Sequence, residues 1–287
     1  MQERTRRSVG FVGAGRLAAS LAAGLIRANY RVTVIASTTV ESARPLAGEL
    51  SPEVIATGDL GEVAALAEVV FLTVPDSAIA GTCAAIPWSP KHIAVHCSGA
   101  SSLDVLSAAT QSGATVGCLH PLQTFPSRSP QPERFDGISC GIEGAEPAGS
   151  LLEQMAKDLR AAPFRLEGVD RARYHAAAVM ASNFVVALAE AGGRLWELAG
   201  LDPASSREAL APLMLAAAKN ISTLDLAKAL TGPVARGDIE TVERHLAAIK
   251  ADPALLEIYR LLSSELLRLP LEHDAPTSAR LRDLLER

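Results

Sequence analysis

The chain has 287 residues, of which 48% are hydrophobic, 21% charged and 4% aromatic, and its formal net charge is −5. That length exceeds what one hydrophobic core usually fills, so two domains are expected, and the apolar share excludes a disordered chain. The acidic balance gives no basic footprint for nucleic acid, and charges interrupting every Ala/Leu stretch argue against a window of roughly 18 apolar residues that would cross a membrane.

Met1 to Arg7 reads as a polar leader without a signal-peptide pattern. Short apolar runs then alternate with helix-like segments: Ser8 to Val12, Arg31 to Ala36, Val54 to Thr57, Val69 to Val74 and His92 to Cys97 read as strands. Later runs at Thr115 to Leu119, Ile138 to Ile142 and Phe164 to Leu166 extend the sheet. Continuous apolar strands suit a sheet covered on both faces, so the fold class is α/β, a doubly wound Rossmann-like sheet. Past Gly168 the strand signals stop, and helices are expected at Arg171 to Ala199, Ser205 to Ser222, Ile239 to Ala251 and Pro253 to Leu269. Residues 1–167 thus read as a dinucleotide-binding domain and residues 168–287 as an all-helical domain for substrate and dimerisation.

Between the first strand and its helix stands Gly13-Ala14-Gly15-Arg16-Leu17-Ala18, a G-x-G-x-x-A turn. Gly13 permits the tight bend, Gly15 lets backbone approach a pyrophosphate, and Ala18 allows close helix-to-strand packing, while the helix start attracts the anion. An NAD-preferring site would place a carboxylate at the end of the second strand, whereas this strand ends Ser37-Thr38-Thr39. A 2′-phosphate is therefore tolerated, with Ser37 and Thr38 as hydrogen-bond partners and Arg16 and Arg44 as counter-charges, and NADP is the expected cofactor. The competing role for those hydroxyls is to cap the helix near Val40. Val74 and Pro75 end the fourth strand, where the nicotinamide would lie, and Asp76 reads equally as a cap for the helix that follows.

Candidate chemistry comes next. Ser98-Gly99 follows the fifth strand and offers donors to a carboxylate or oxyanion, or else forms a turn capped at Ser101. His120 opens a Pro-rich loop reaching Gly137, and long loops in compact domains are usually functional or disordered. Cys118 and His120 share a strand face, but without paired ligand spacing no metal is expected. On the helix from Arg171, His175, Val179 and Ser182 share a face with Asn183 adjacent, facing an expected interdomain cleft. His175 is the leading proton donor and Asn183 the group that polarises a carbonyl oxygen. Arg236, in a Gly-Pro turn, is a fork for a substrate carboxylate or a plain structural residue. Four scattered cysteines suit a reducing compartment, the cytoplasm, and the Ala/Leu-rich helices suggest a homodimer.

Gly13-Ala14-Gly15-Arg16, His96-Cys97-Ser98-Gly99, the block His120 to Phe125, Tyr174-His175 through Asn183, and Leu230 to Asp238 together resemble the bacterial Rossmann-like oxidoreductases with a helical carboxyl-terminal domain of unknown function. That family looks related to the 6-phosphogluconate, ketopantoate and pyrroline-5-carboxylate enzymes, and some members resemble an alternative type of ketopantoate reductase. The resemblance implies NADPH-dependent reduction of a 2-oxo acid such as 2-dehydropantoate. Better-known ketopantoate reductases carry a catalytic Lys where this helix offers His175 and Asn183, and relatives often end the second strand with Arg-Ser rather than Ser37-Thr38. Reduction of a cyclic imine and a non-catalytic NADP-binding sensor are the other readings.

Overall fold

The computed structural model describes residues 7–286, so the expected leader lies outside the described residues apart from Arg7. Among the described residues one sheet forms, with strands β1 (Ser8–Val12), β2 (Arg31–Ala36), β3 (Ile55–Thr57), β4 (Val69–Leu72), β5 (Ile93–His96), β6 (Thr115–Pro121), β7 (Ser139–Glu143) and β8 (Ala162–Arg165). Their order is β3-β2-β1-β4-β5-β6-β7-β8; the first six run parallel, β7 runs antiparallel to β6, and β8 runs parallel to β7. The chain leaves β1 toward β2 and later crosses back to β4, which opens a crevice at the carboxyl ends of β1 and β4.

The helices of this part are α1 (Arg16–Arg27), α2 (Val40–Leu50), α3 (Leu60–Leu66), α4 (Ile79–Ala85), α5 (Ser107–Gln111) and α6 (Ala148–Asp158), followed by the first turns of α7 (Arg171–Leu198). One face of the sheet packs Phe11, Phe71, Leu21, Leu25, Phe135 and Leu152 beneath α1, α2 and α6. The other packs Val34, Leu72, Ile79, Trp88 and Leu106 beneath α3, α4 and α5. Because alternate side chains of a strand point to opposite faces, β4 and β5 are buried at every position and read as unbroken apolar runs. The Pro-rich segment expected to lack structure makes a 3₁₀ turn at Pro132–Phe135 and buries Phe135 completely.

Two compact units divide at Met180/Ala181, inside α7, rather than at residue 167 before it. The reason is local: Arg171, Tyr174 and His175 in the first turns of α7 engage the sheet. The second unit holds the rest of α7 with α8 (Ser206–Thr223), α9 (Leu226–Ala229), α10 (Pro233–Arg236), α11 (Ile239–Ile249), α12 (Pro253–Leu266) and α13 (Ala275–Glu286). Val234, Val242, Leu246, Leu281 and Leu285 form its small core. Asp238 and Asp252 cap α11 and α12 by accepting from the backbone N–H of Thr241 and Leu255, the expected use of Asp at a helix start.

Contrary to the expectation from interrupting charges, α7 is long and apolar enough to cross a membrane by length and composition, and none of its most apolar window is buried. The run from Tyr174 to Ala189 carries no Asp, Glu, Lys or Arg.

Candidate functional site

The glycine turn after β1 adopts the geometry its residues dictate. Gly13 sits at φ +109°, and a Cβ there would lie 2.6 Å from the carbonyl oxygen of Thr73, so no other residue fits. Thr73 fixes the turn from the β4 side, its hydroxyl donating to the Gly13 carbonyl at 2.8 Å. Gly15 is the N-cap of α1 and supplies no side-chain cap, so the first N–H groups of the helix are open to an anion. Ala18 is fully buried, as close helix-to-sheet packing requires.

A cleft of about 560 Å³ opens over this turn, lined by Gly13, Ala14, Gly15, Ser37, Thr38, Val74 and Pro75, with Ser42, Gly58, Leu60, Thr82 and Arg128. The capping alternative for Ser37 and Thr38 does not hold, because Thr39 caps α2 by accepting from the Ser42 N–H. Both hydroxyl residues are left at the cleft wall. Arg16 and Leu17, also expected at the cofactor, do not line it: Arg16 is exposed on α1 and Leu17 packs against the core. Arg44 is likewise exposed and away from the lining. Arg128, which sequence reasoning missed, is the one charged side chain among the lining residues.

Beyond Pro75 the polar groups run on along the carboxyl ends of β4, β5 and β6. Asp76 does not cap a helix; its carboxylate accepts a 2.7 Å hydrogen bond from the Ser98 hydroxyl. The Ser98 Oγ also accepts from the N–H groups of Ala100 and Ser101, and its own N–H donates to His96 Nδ1. Ser98 is thus spent on shaping the turn, which is the structural alternative of the two readings. That turn places Gly99 against two imidazoles. A Cβ on Gly99 would lie 2.6 Å from His175 Nδ1 and 2.7 Å from His120 Nε2.

His120 Nδ1 lies 2.6 Å from the hydroxyl of Tyr174, and the two rings meet edge to face. Burial, with Arg171 adding to it, lowers the His120 pKa to about 4, and burial raises that of Tyr174 to about 12. At neutral pH both groups are therefore uncharged, the direction of their hydrogen bond follows the His120 tautomer, and the other ring nitrogen, Nε2, lies beside Gly99. His175 Nδ1 is buried without a hydrogen-bond partner, so one nitrogen at this spot awaits one. Arg171, only 8% exposed, ties the start of α7 to the sheet by donating to the Ser98 carbonyl at 2.8 Å and to Cys118 Sγ, and it pairs with Glu143 at 3.3 Å. His96 is fully buried and its pKa is also lowered to about 4, chiefly by burial. Tyr174 and Arg171 were absent from the expected site; adjacency to His175 was the only sequence signal for them.

Asn183 and His175 are not presented side by side. Eight residues of helix separate them by about 12 Å along the axis, and helical side chains lean toward the N-terminus, so His175 leans away. Asn183 is exposed, and its carbonyl accepts from the neighbouring Ser182 hydroxyl. Arg236, in the second unit, is exposed and lies 3.8 Å from Asp238.

Residues 8–98 match the family described as NADP oxidoreductase, coenzyme F420-dependent, and residues 138–266 match a domain of unknown function, DUF2520. No curated protein matches the chain. Among solved structures, a proposed NADP oxidoreductase from Bacteroides fragilis is 28% identical, with 91% of this chain and 98% of that one covered and a TM-score of 0.75. Protein TM1727 from Thermotoga maritima is also 28% identical, with 97% and 100% covered and a TM-score of 0.72. A 1-pyrroline-5-carboxylate reductase from Streptococcus pyogenes, 16% identical over 92% and 99% of the chains, shares the fold with a TM-score of 0.64. No link to ketopantoate reductases is among these likenesses. The expected cofactor, NADP, agrees with the family matched by the glycine-turn region. The chain is therefore similar to NADP-dependent oxidoreductases through its Rossmann-like part and to a family of unknown function through the helical part that follows.

Proposed function

We propose that the protein is an NADP-dependent reductase of a small 2-oxo acid, with 2-dehydropantoate the first substrate to try. The observation that carries this reading is that one compact unit holds both a diphosphate cradle and a pair of imidazoles meeting at Gly99. The bound dinucleotide supplies a hydride. Reduction of a ketone then needs one proton at the carbonyl oxygen, and we assign its delivery to His175, whose unpartnered Nδ1 supports that role. We assign His120 the neutral Nε2–H tautomer, with Tyr174 donating to its Nδ1, so that it orients the same oxygen without changing charge.

NADPH oxidation measured across 2-oxo acids and cyclic imines tests the reading. Turnover of a 2-oxo acid, with kcat in His175→Ala lowered about 100-fold or more and NADPH affinity kept, is the expected result. Tight NADPH binding with no turnover on any substrate would overturn it in favour of a sensor. Cyclic imine reduction is the second reading, favoured by the neutrality of His120: an iminium ion arrives already protonated and needs a neutral surround rather than an acid. Preserved turnover of an imine in His175→Ala identifies that case.

The protein is also read as a cytoplasmic homodimer. Its four cysteines are free, which suits a reducing compartment. Met180, Val186, Leu213 and Leu215 on α7 and α8 are each at least 65% exposed, and the partner that covers them is taken to be a second copy.

A further inference from the structure

The cleft over the glycine turn contains one charged group that neither the turn motif nor the second-strand rule assigns. Arg128 lies in the Pro-rich loop after β6, more than a hundred residues from Gly13 in sequence, yet its side chain lines the same cleft. It makes no ion pair or side-chain hydrogen bond among the described residues. We propose that Arg128 is a cofactor-binding residue that clamps the pyrophosphate of the dinucleotide from the side opposite the start of α1. This deepens the proposed NADP-dependent function and rests on it.

The loop is built to hold Arg128 there. At its far end the Gln131 N–H donates to the Ser20 hydroxyl on α1 at 3.2 Å, and Arg27 grips the Pro132 carbonyl and Asp136. Its two limbs are tied across by Arg134, which donates to the Thr124 carbonyl, and by the contact of Phe125 with Phe135 at 5.3 Å. Around Arg128 itself, the Ser129 N–H donates to the Ser127 hydroxyl. Ser20 stands five residues, about 7.5 Å of helix, below Gly15, and the three residues from Gln131 back to Arg128 can span about 10 Å. That span brings Arg128 within reach of the amino-terminal end of α1, where the diphosphate belongs.

The planar fork of Arg pairs with phosphate oxygens in two bonds, and a preorganised loop loses little entropy when they form. The same loop thus converts an open shelf into a two-sided grip. Since both dinucleotides carry the pyrophosphate and only one carries the 2′-phosphate, the two cofactors separate the possibilities.

Calorimetric titration of full-length wild type, Arg128→Ala and Arg128→Lys with NADPH and with NADH is the test. Wild-type binding of NADPH establishes the underlying cofactor reading on its own. Given that, Arg128→Ala weakens both cofactors by the same factor, about tenfold, and Arg128→Lys recovers part of the loss. Melting temperatures of the free proteins stay alike, because Arg128 is exposed and supports no contact. Unchanged affinity for both cofactors in Arg128→Ala overturns the proposal, as does a loss confined to NADPH, which would move the guanidinium to the 2′-phosphate.

Discussion

Two histidines, His96 and His120, are held neutral inside the protein, with pKa values lowered to about 4 mainly by burial. A depressed histidine pKa contributes stability that is present above its unfolded value of about 6.5 and is lost as pH falls toward the folded value, because the unfolded chain then binds the proton that the folded one refuses. Unfolding free energy from urea titration should therefore drop between pH 7 and pH 5 by on the order of 2 kcal/mol per histidine. A flat profile over that interval would show that the imidazoles are hydrated or charged in the folded state. The glycine turn was readable from sequence because its causes are local: a bend at Gly13 and an uncapped helix start at Gly15. Arg128, Tyr174 and Arg171 were not, since each owes its role to a partner far along the chain. Tyr174 meets His120, and Arg171 meets Ser98, Cys118 and Glu143. Asp76 followed by a helical segment looks like a cap, and only the fold shows that its carboxylate serves Ser98 instead.

At the scale of elements, α7 performs two tasks along one 28-residue helix. Its first turns are pinned to the sheet through Arg171, whose guanidinium answers Glu143 and the Ser98 carbonyl; removing either member of such a buried pair strands the other. Farther on, it presents an apolar surface with Val186 71% exposed, and α8 does the same with Leu215 at 72%. Water-facing leucines and valines in that density call for a cover. Light scattering should report a particle of twice the 30.0 kDa chain mass, and Val186→Glu with Leu215→Glu should return it to one chain. A wild type that runs as a single chain, or that associates with lipid vesicles instead, would contradict the homodimer. The strands were legible within a residue or two at most ends because buried parallel strands leave apolar runs. By contrast, α13 escaped notice: it buries little beyond Leu281 and Leu285, and its remaining positions are mainly charged or small.

For the molecule as a whole, two units follow from 287 residues, as length alone suggested, but the divide falls within a helix, where no Gly or Pro could mark it. Fold class and cofactor come from the amino-terminal unit, in which β1, β2 and β4 set the cradle at the point where the strand order reverses. The proposed chemistry gathers in the same unit, where the ends of β5 and β6 and the first turns of α7 bring Gly99, His120 and His175 together. The most direct measurement of this account is equilibrium titration of the purified chain with NADPH and NADH. Saturable binding of one NADPH per chain, with NADH weaker because Ser37 and Thr38 favour the 2′-phosphate, is the predicted result; absence of binding to either nucleotide would contradict it.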